Sequence, residues 1–196
     1  MIQRKDQRIA VFIDTANMYH SAKNIFHARL NFKNLLADAV GERHLIRAIA
    51  YVITTKTGEE KPFLDALTTI GIEMKTKELQ EFSSGSKKGD WDVGLTVDAI
   101  RIGMGVDVIV IVSGDGDYLS LVEYLQNQGK QVEVMAFNES ASAKLIEKVD
   151  GFVDLSADVE RYLIRSGRPG RAEYAERSER SDKVVIVHKT GEREEF

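Results

Sequence analysis

The chain alternates between short segments rich in apolar and β-branched residues, two of them nearly unbroken, and longer segments whose apolar positions recur with helical spacing. The runs at 8–14, 44–55, 72–77, 106–113 and 131–137 predict strands. Helical spacing over 17–27, 32–40, 59–70, 91–103 and 117–128 predicts the helices between them, with shorter helices near 141–148 and 157–165. Gly41, Gly71 and Gly129 stand where helices end. Residues 152–154 read as a stub, and 80–90 has loop composition. The run Val108-Ile-Val-Ile-Val112 has no polar face, the habit of a strand covered on both sides in a parallel sheet. Strand–helix–strand repetition implies right-handed crossovers with helices on both faces. The expected fold is a three-layer α/β/α sandwich with a central, mostly parallel five-stranded sheet of Rossmann-like type.

At 196 residues the chain has material for one domain with an appendage. Beyond Gly167 the composition turns to Arg, Glu and Ser, so the expected division is a folded domain over 1–165 and a charged tail over 166–196. There is no cysteine, which excludes zinc-thiolate sites and thiol nucleophiles. The N-terminus is charged and lacks an apolar signal region, and no window approaches a membrane span, so the cytoplasm is the expected location, with no membrane partner. The net charge of −4 argues against a general nucleic-acid coat, but a cluster of acids at a metal site would inflate that count.

Acids stand where two of the strongest strands stop. Arg8-Ile-Ala-Val-Phe-Ile-Asp14 ends in a carboxylate, and Asn17 follows three residues later, on the same side of a strand-to-helix corner. Val108–Val112 runs into Ser113-Gly-Asp115-Gly-Asp117-Tyr118. Ligands of open α/β sheets bind at such strand ends. Paired carboxylates there are costly unless something positive neutralises them, and a hard divalent cation does so. Asp92 opens the helix 91–103, where the helix dipole favours a carboxylate. Asp98 lies six residues on, about 240° around the helix, and suits a bond to a neighbouring strand end or to a Lys or Arg. An oxygen-only ligand set selects Mg²⁺ or Mn²⁺ over zinc.

Together, Asp14-x-x-Asn17, Lys88 shortly before Asp92, the helix Val93-Gly-Leu-Thr-Val-Asp98-Ala, and Ser113-Gly-Asp115-Gly-Asp117-Tyr resemble the NYN domain, in its LabA-like branch within the PIN-like nuclease superfamily. The resemblance covers roughly 8–155. It implies a metal-dependent ribonuclease with Asp14, Asp92, Asp115 and Asp117 as the catalytic, metal-holding acids. It further implies that Asn17 and Ser113 position ligands or water, with Asp98 in support, that Lys88 approaches a substrate phosphate, and that RNA is the partner.

Each residue also has a plainer reading. Asp14, Asp90, Asp92 and the pair Asp115 and Asp117 suit helix capping or dipole compensation, Trp91 suits the core, and His20 carries no spacing signal. Two other functions compete: a catalytically weak RNA- or protein-binding regulatory module of the same fold, and a phosphotransferase. The latter class places its Asp-x-Asp on the first strand, where this chain has Asp14-Thr-Ala. A homodimer through an exposed strand edge, and a protein partner for the tail, are further partners the sequence leaves open.

Overall fold

The computed structural model describes residues 4–55, 57–81, 87–88 and 90–164, with the backbone alone at 80, 81, 87 and 88. In chain order the elements are β1 (Arg8–Asp14), α1 (Thr15–Phe26), β2 (Arg29–Leu30), α2 (Phe32–Val40), β3 (His44–Thr54), α3 (Lys61–Thr69) and β4 (Glu73–Glu78). Then come β5 (Gln80–Glu81), β6 (Lys87–Lys88), α4 (Asp92–Gly103), β7 (Val108–Val112), α5 (Leu119–Asn127), β8 (Gln131–Ala136), α6 (Ala143–Lys148), β9 (Gly151–Asp154), α7 (Val159–Tyr162) and β10 (Leu163–Ile164).

The main sheet has six strands in the order β4-β3-β1-β7-β8-β9, and every neighbouring pair is parallel. The expectation of five strands is corrected by β9, which the sequence shows only as a stub. It is an edge strand with one neighbour and half-buried side chains, so it needs no long apolar run. Two small antiparallel pairs were also not foreseen: β5 with β6 inside the expected loop 80–90, and β2 with β10, which replaces the end of the helix expected at 157–165. The expected tail, 166–196, lies outside the described residues.

Counted within the sheet, the strands run third, second, first, fourth, fifth, sixth. That is the doubly wound order, whose direction reverses between β1 and β7 and opens a crevice at their carboxyl ends. The period-2 alternation of strands decides what each face receives. Ile9, Val11 and Ile13 join one core with Met18 and Ala22 of α1, Leu35 and Leu36 of α2, and Leu67 of α3. Ala10 and Phe12 join the other, with Leu95 and Ala99 of α4 and Leu121 and Leu125 of α5. Asp14 shares parity with Ala10 and Phe12, and Ser113 with Ile109 and Ile111 of that second core. Both polar side chains therefore continue the α4 face of the sheet at its carboxyl edge. Among the described residues no helix is long and apolar enough to cross a membrane.

Candidate metal centre

Asp14 ends β1 and caps α1: its Oδ1 accepts the Asn17 N–H at 3.1 Å. Its Oδ2 accepts from the Ser113 hydroxyl at 3.3 Å and faces the Tyr118 hydroxyl at 3.4 Å. The carboxylate is buried at 7% exposure, so both oxygens depend on these donors. Burial holds its pKa above the ordinary carboxylate value. The Asn17 N–H and the Ser113 hydroxyl oppose that rise, and the charges of Asp92 and Asp115 add to it.

Ser113 is fully buried and works in both directions, since its Oγ also accepts the Asp115 N–H at 3.2 Å. Asp115 Oδ1 accepts the Asp117 N–H at 2.9 Å and so caps the short 3-10 turn Gly116–Tyr118. The capping reading of Asp14 and Asp115 is thus correct for one oxygen of each. Across the crevice, Asn17 Oδ1 accepts the Gly114 N–H at 3.0 Å, tying the corner after β1 to the loop after β7. Gly114 is held close on its far side too: a Cβ there would stand 2.9 Å from Ala141 Cα.

Asp92 enters from the first turn of α4. Its pKa is also raised, first by burial and then by Asp115, Asp90 and Asp117, against a hydrogen bond from Tyr118 at 3.2 Å. One oxygen each from Asp92, Asp115 and Asp117 lies within 4.8 Å of the others. Oxygens around an octahedral ion with ~2.1 Å bonds stand about 3 to 4.2 Å apart, so this group is close to a ligand set. Asp14 is outside that trio and joins it through Ser113 and Tyr118. An open pocket of about 200 Å³ fronts the group, lined by Asp14, Asn17, His20, Trp91, Asp92 and Asp115 among others.

Of the residues assigned from sequence, Asp98 stands apart from this group. Asp98 makes the bonds to a strand and a lysine that its spacing suggested and gives the acids no direct support: its Oδ2 accepts from Tyr51 at 2.8 Å and from Lys75, which together hold its pKa below the usual range despite burial. It belongs neither to the carboxylate trio nor to the pocket wall. The cause is the angle already implied by its spacing from Asp92, which turns it toward β3 and β4. Lys88 contributes its backbone to β6, while its side chain lies outside the described residues. Asp90, expected as a cap, lines the pocket instead, and Trp91 occupies the N-cap position.

The sequence reading did not assign Tyr118 or His20. Tyr118 is buried with its hydroxyl between Asp14 and Asp92, and burial plus those two charges raise its pKa. Its signal was its place at the end of the Ser-Gly-Asp-Gly-Asp motif. His20 is three residues past Asn17, one helical turn along the same face. Trp91 forms a wall: its Nε1–H donates to the Val52 carbonyl at 3.0 Å, and a Cβ on Gly94 would meet its ring at 2.6 Å.

The molecule is thus a doubly wound α/β protein whose grouped carboxylates at the switch point could hold a metal ion, where sheets of this kind bind ligands. The NYN domain family profile matches residues 8–156, and the chain belongs to that family, which includes nucleases. It is similar to the Low amplitude and bright protein LabA of Synechococcus elongatus, with 27% identity over 174 residues, 84% of this chain and 92% of that protein. The crystal structure of a protein of unknown function from Vibrio parahaemolyticus has a TM-score of 0.75 and 32% identity, covering 84% of this chain and 100% of that one.

Proposed function

We propose that this chain is a metal-dependent ribonuclease that hydrolyses RNA phosphodiester bonds at the carboxyl edge of β1 and β7. The observation that carries the reading is the gathering of Asp92, Asp115 and Asp117 within 4.8 Å beside buried Asp14. Concentrated like charge raises the energy of the folded chain unless a cation is bound; burial is the main cause of the raised pKa values of Asp14 and Asp92, and the neighbouring carboxylates add to it.

Asp92, Asp115 and Asp117 would hold Mg²⁺ or Mn²⁺, since all are hard oxygen donors without sulfur or imidazole. An ion of that kind supplies positive charge for a phosphate and makes a water molecule more acidic. The protein's own part is positional. Ser113 and Asn17 lock the two strand ends together, so the carboxylates keep their spacing without a ligand. Tyr118 donates its single proton to Asp92 or to Asp14 and holds the two acids at a constant separation. The enzyme is read as a cytoplasmic protein.

The test is cleavage of RNA by purified protein with Mn²⁺, wild type against Asp115→Asn. Loss of cutting in the variant is expected; equal cutting would end the assignment. One observation favours a second reading, a weakly active or inactive binding module: Asp14 lies outside the carboxylate trio, and three protein donors already spend much of its accepting capacity. Calorimetry separates the two, because a pure binding module would show no uptake of Mg²⁺ or Mn²⁺ at millimolar concentration.

A further inference from the structure

Beyond the acids, one part of the pocket wall is left unused. His20 lines the pocket and is exposed, and it packs in an aromatic contact with Tyr19, ring centres 5.5 Å apart at 73°. Tyr19 is 49% exposed. Lys23, one turn further along α1, places Nζ 3.1 Å from the Tyr19 hydroxyl and 5.2 Å from its ring centre. Those two distances put the ammonium at the hydroxyl rim of the ring rather than over its face. A lone exposed aromatic is ordinary. What distinguishes this one is its company: an imidazole of the pocket wall against its ring and a cation one turn along the same helix.

We infer that Tyr19 and His20 form a base-stacking platform for a nucleotide flanking the cut in single-stranded RNA, with Lys23 set to meet a neighbouring phosphate. The inference deepens the ribonuclease reading and rests on it. Stacking against aromatic rings tolerates any base, and a cation beside the ring tracks the backbone. The two rings already form an edge-to-face pair, the favoured aromatic arrangement, which holds them in place for a base to stack on an outer face. The indole across the pocket is a poorer platform. Trp91 is packed on Gly94 and Tyr51, its N–H is spent on Val52, and Lys77 Nζ lies 5.8 Å from its ring centre. Charge supports the same occupant: Lys23 is a cation beside an acidic pocket, and it offers the phosphate the attraction that the carboxylates deny it.

The probe is a single-stranded RNA oligomer carrying 2-aminopurine, whose fluorescence falls when the base stacks. Binding is measured with Mg²⁺ present on the Asp115→Asn background, so the RNA stays intact. Replacing Tyr19 and His20 together by Ala should abolish the quenching and weaken affinity about tenfold. Tyr19→Trp, which keeps a ring at an exposed position, should retain both signals. If the double variant binds and quenches like its parent, the platform is wrong while the ribonuclease reading stands. If the parent chain binds no RNA at all, both readings fall.

Discussion

Asn17 and Gly114 are 97 residues apart in the chain, and the Asn17 side-chain oxygen accepts the Gly114 N–H at 3.0 Å. This bond spans the reversal point of the sheet and joins the corner that presents Asp14 to the loop that presents Asp115. Asn17→Ala leaves a half-buried N–H without its acceptor, at about 1 kcal/mol of stability. Cleavage should fall far more than thermal stability does, because the two strand ends lose their common reference. Parallel activity assays and melting curves check this; equal modest losses in both would make Asn17 a plain turn residue.

Gly114 offers a second probe of the same loop. A methyl group there would stand 2.9 Å from Ala141 Cα and 3.1 Å from the Ser140 carbonyl, both backbone atoms that cannot swing aside. Gly114→Ala should cost about 1–3 kcal/mol by overpacking, read from chemical denaturation. Gly58→Ala is a different case: no atom lies within 4 Å, so any cost comes from its φ of +68° alone.

Asp14 makes a prediction about pH. Burial raises its pKa, so the folded chain holds a proton that the unfolded chain releases above about pH 3.9. The stability this contributes is present at low pH and is lost as pH rises through the raised folded value. In EDTA, Asp14→Asn should remove that slope and raise the melting temperature by a few degrees at pH 7. Asn keeps an oxygen for the Asn17 N–H and offers an amide to the Ser113 and Tyr118 hydroxyls. A variant less stable than wild type at pH 7 would show that the Asp14 charge is neutralised within the fold.

Far from the site, Arg43 and Glu133 form a bidentate pair at 2.7 and 3.0 Å with side chains only 2% and 3% exposed. Arg43 also donates to the Ala39 and Val40 carbonyls, closing the end of α2. Arg43→Met strands a buried carboxylate and should cost about 3–5 kcal/mol. Adding Glu133→Leu should recover much of that loss, because the unpaired charge is then gone. Denaturant midpoints of the single and double variants decide it.

Metal removal gives the last prediction. Wild type should melt at higher temperature with Mn²⁺ than with EDTA, since an ion that binds only the folded trio stabilises it by mass action. Asp92→Asn and Asp117→Asn should each shrink that difference. A wild-type melting temperature indifferent to Mn²⁺ would contradict a metal centre here.

The parts of this protein legible in its sequence are those governed by local period. The apolar runs at 8–14 and 106–113 announce β1 and β7, and alternation along β1 places Asp14 on the face of Ala10 and Phe12. The 3.6-residue period of α4 separates Asp92 from Asp98 and accounts for Asp98 turning to Tyr51 and Lys75. Strand order, the sixth strand, the placing of Tyr118 between Asp14 and Asp92, and the admission of His20 to the pocket were decided only by the tertiary structure. Side-chain period is a property of neighbouring dihedrals and can be read residue by residue. Which strand lies beside which depends on how whole faces are buried, and residues separated by a hundred positions meet only once that choice is made.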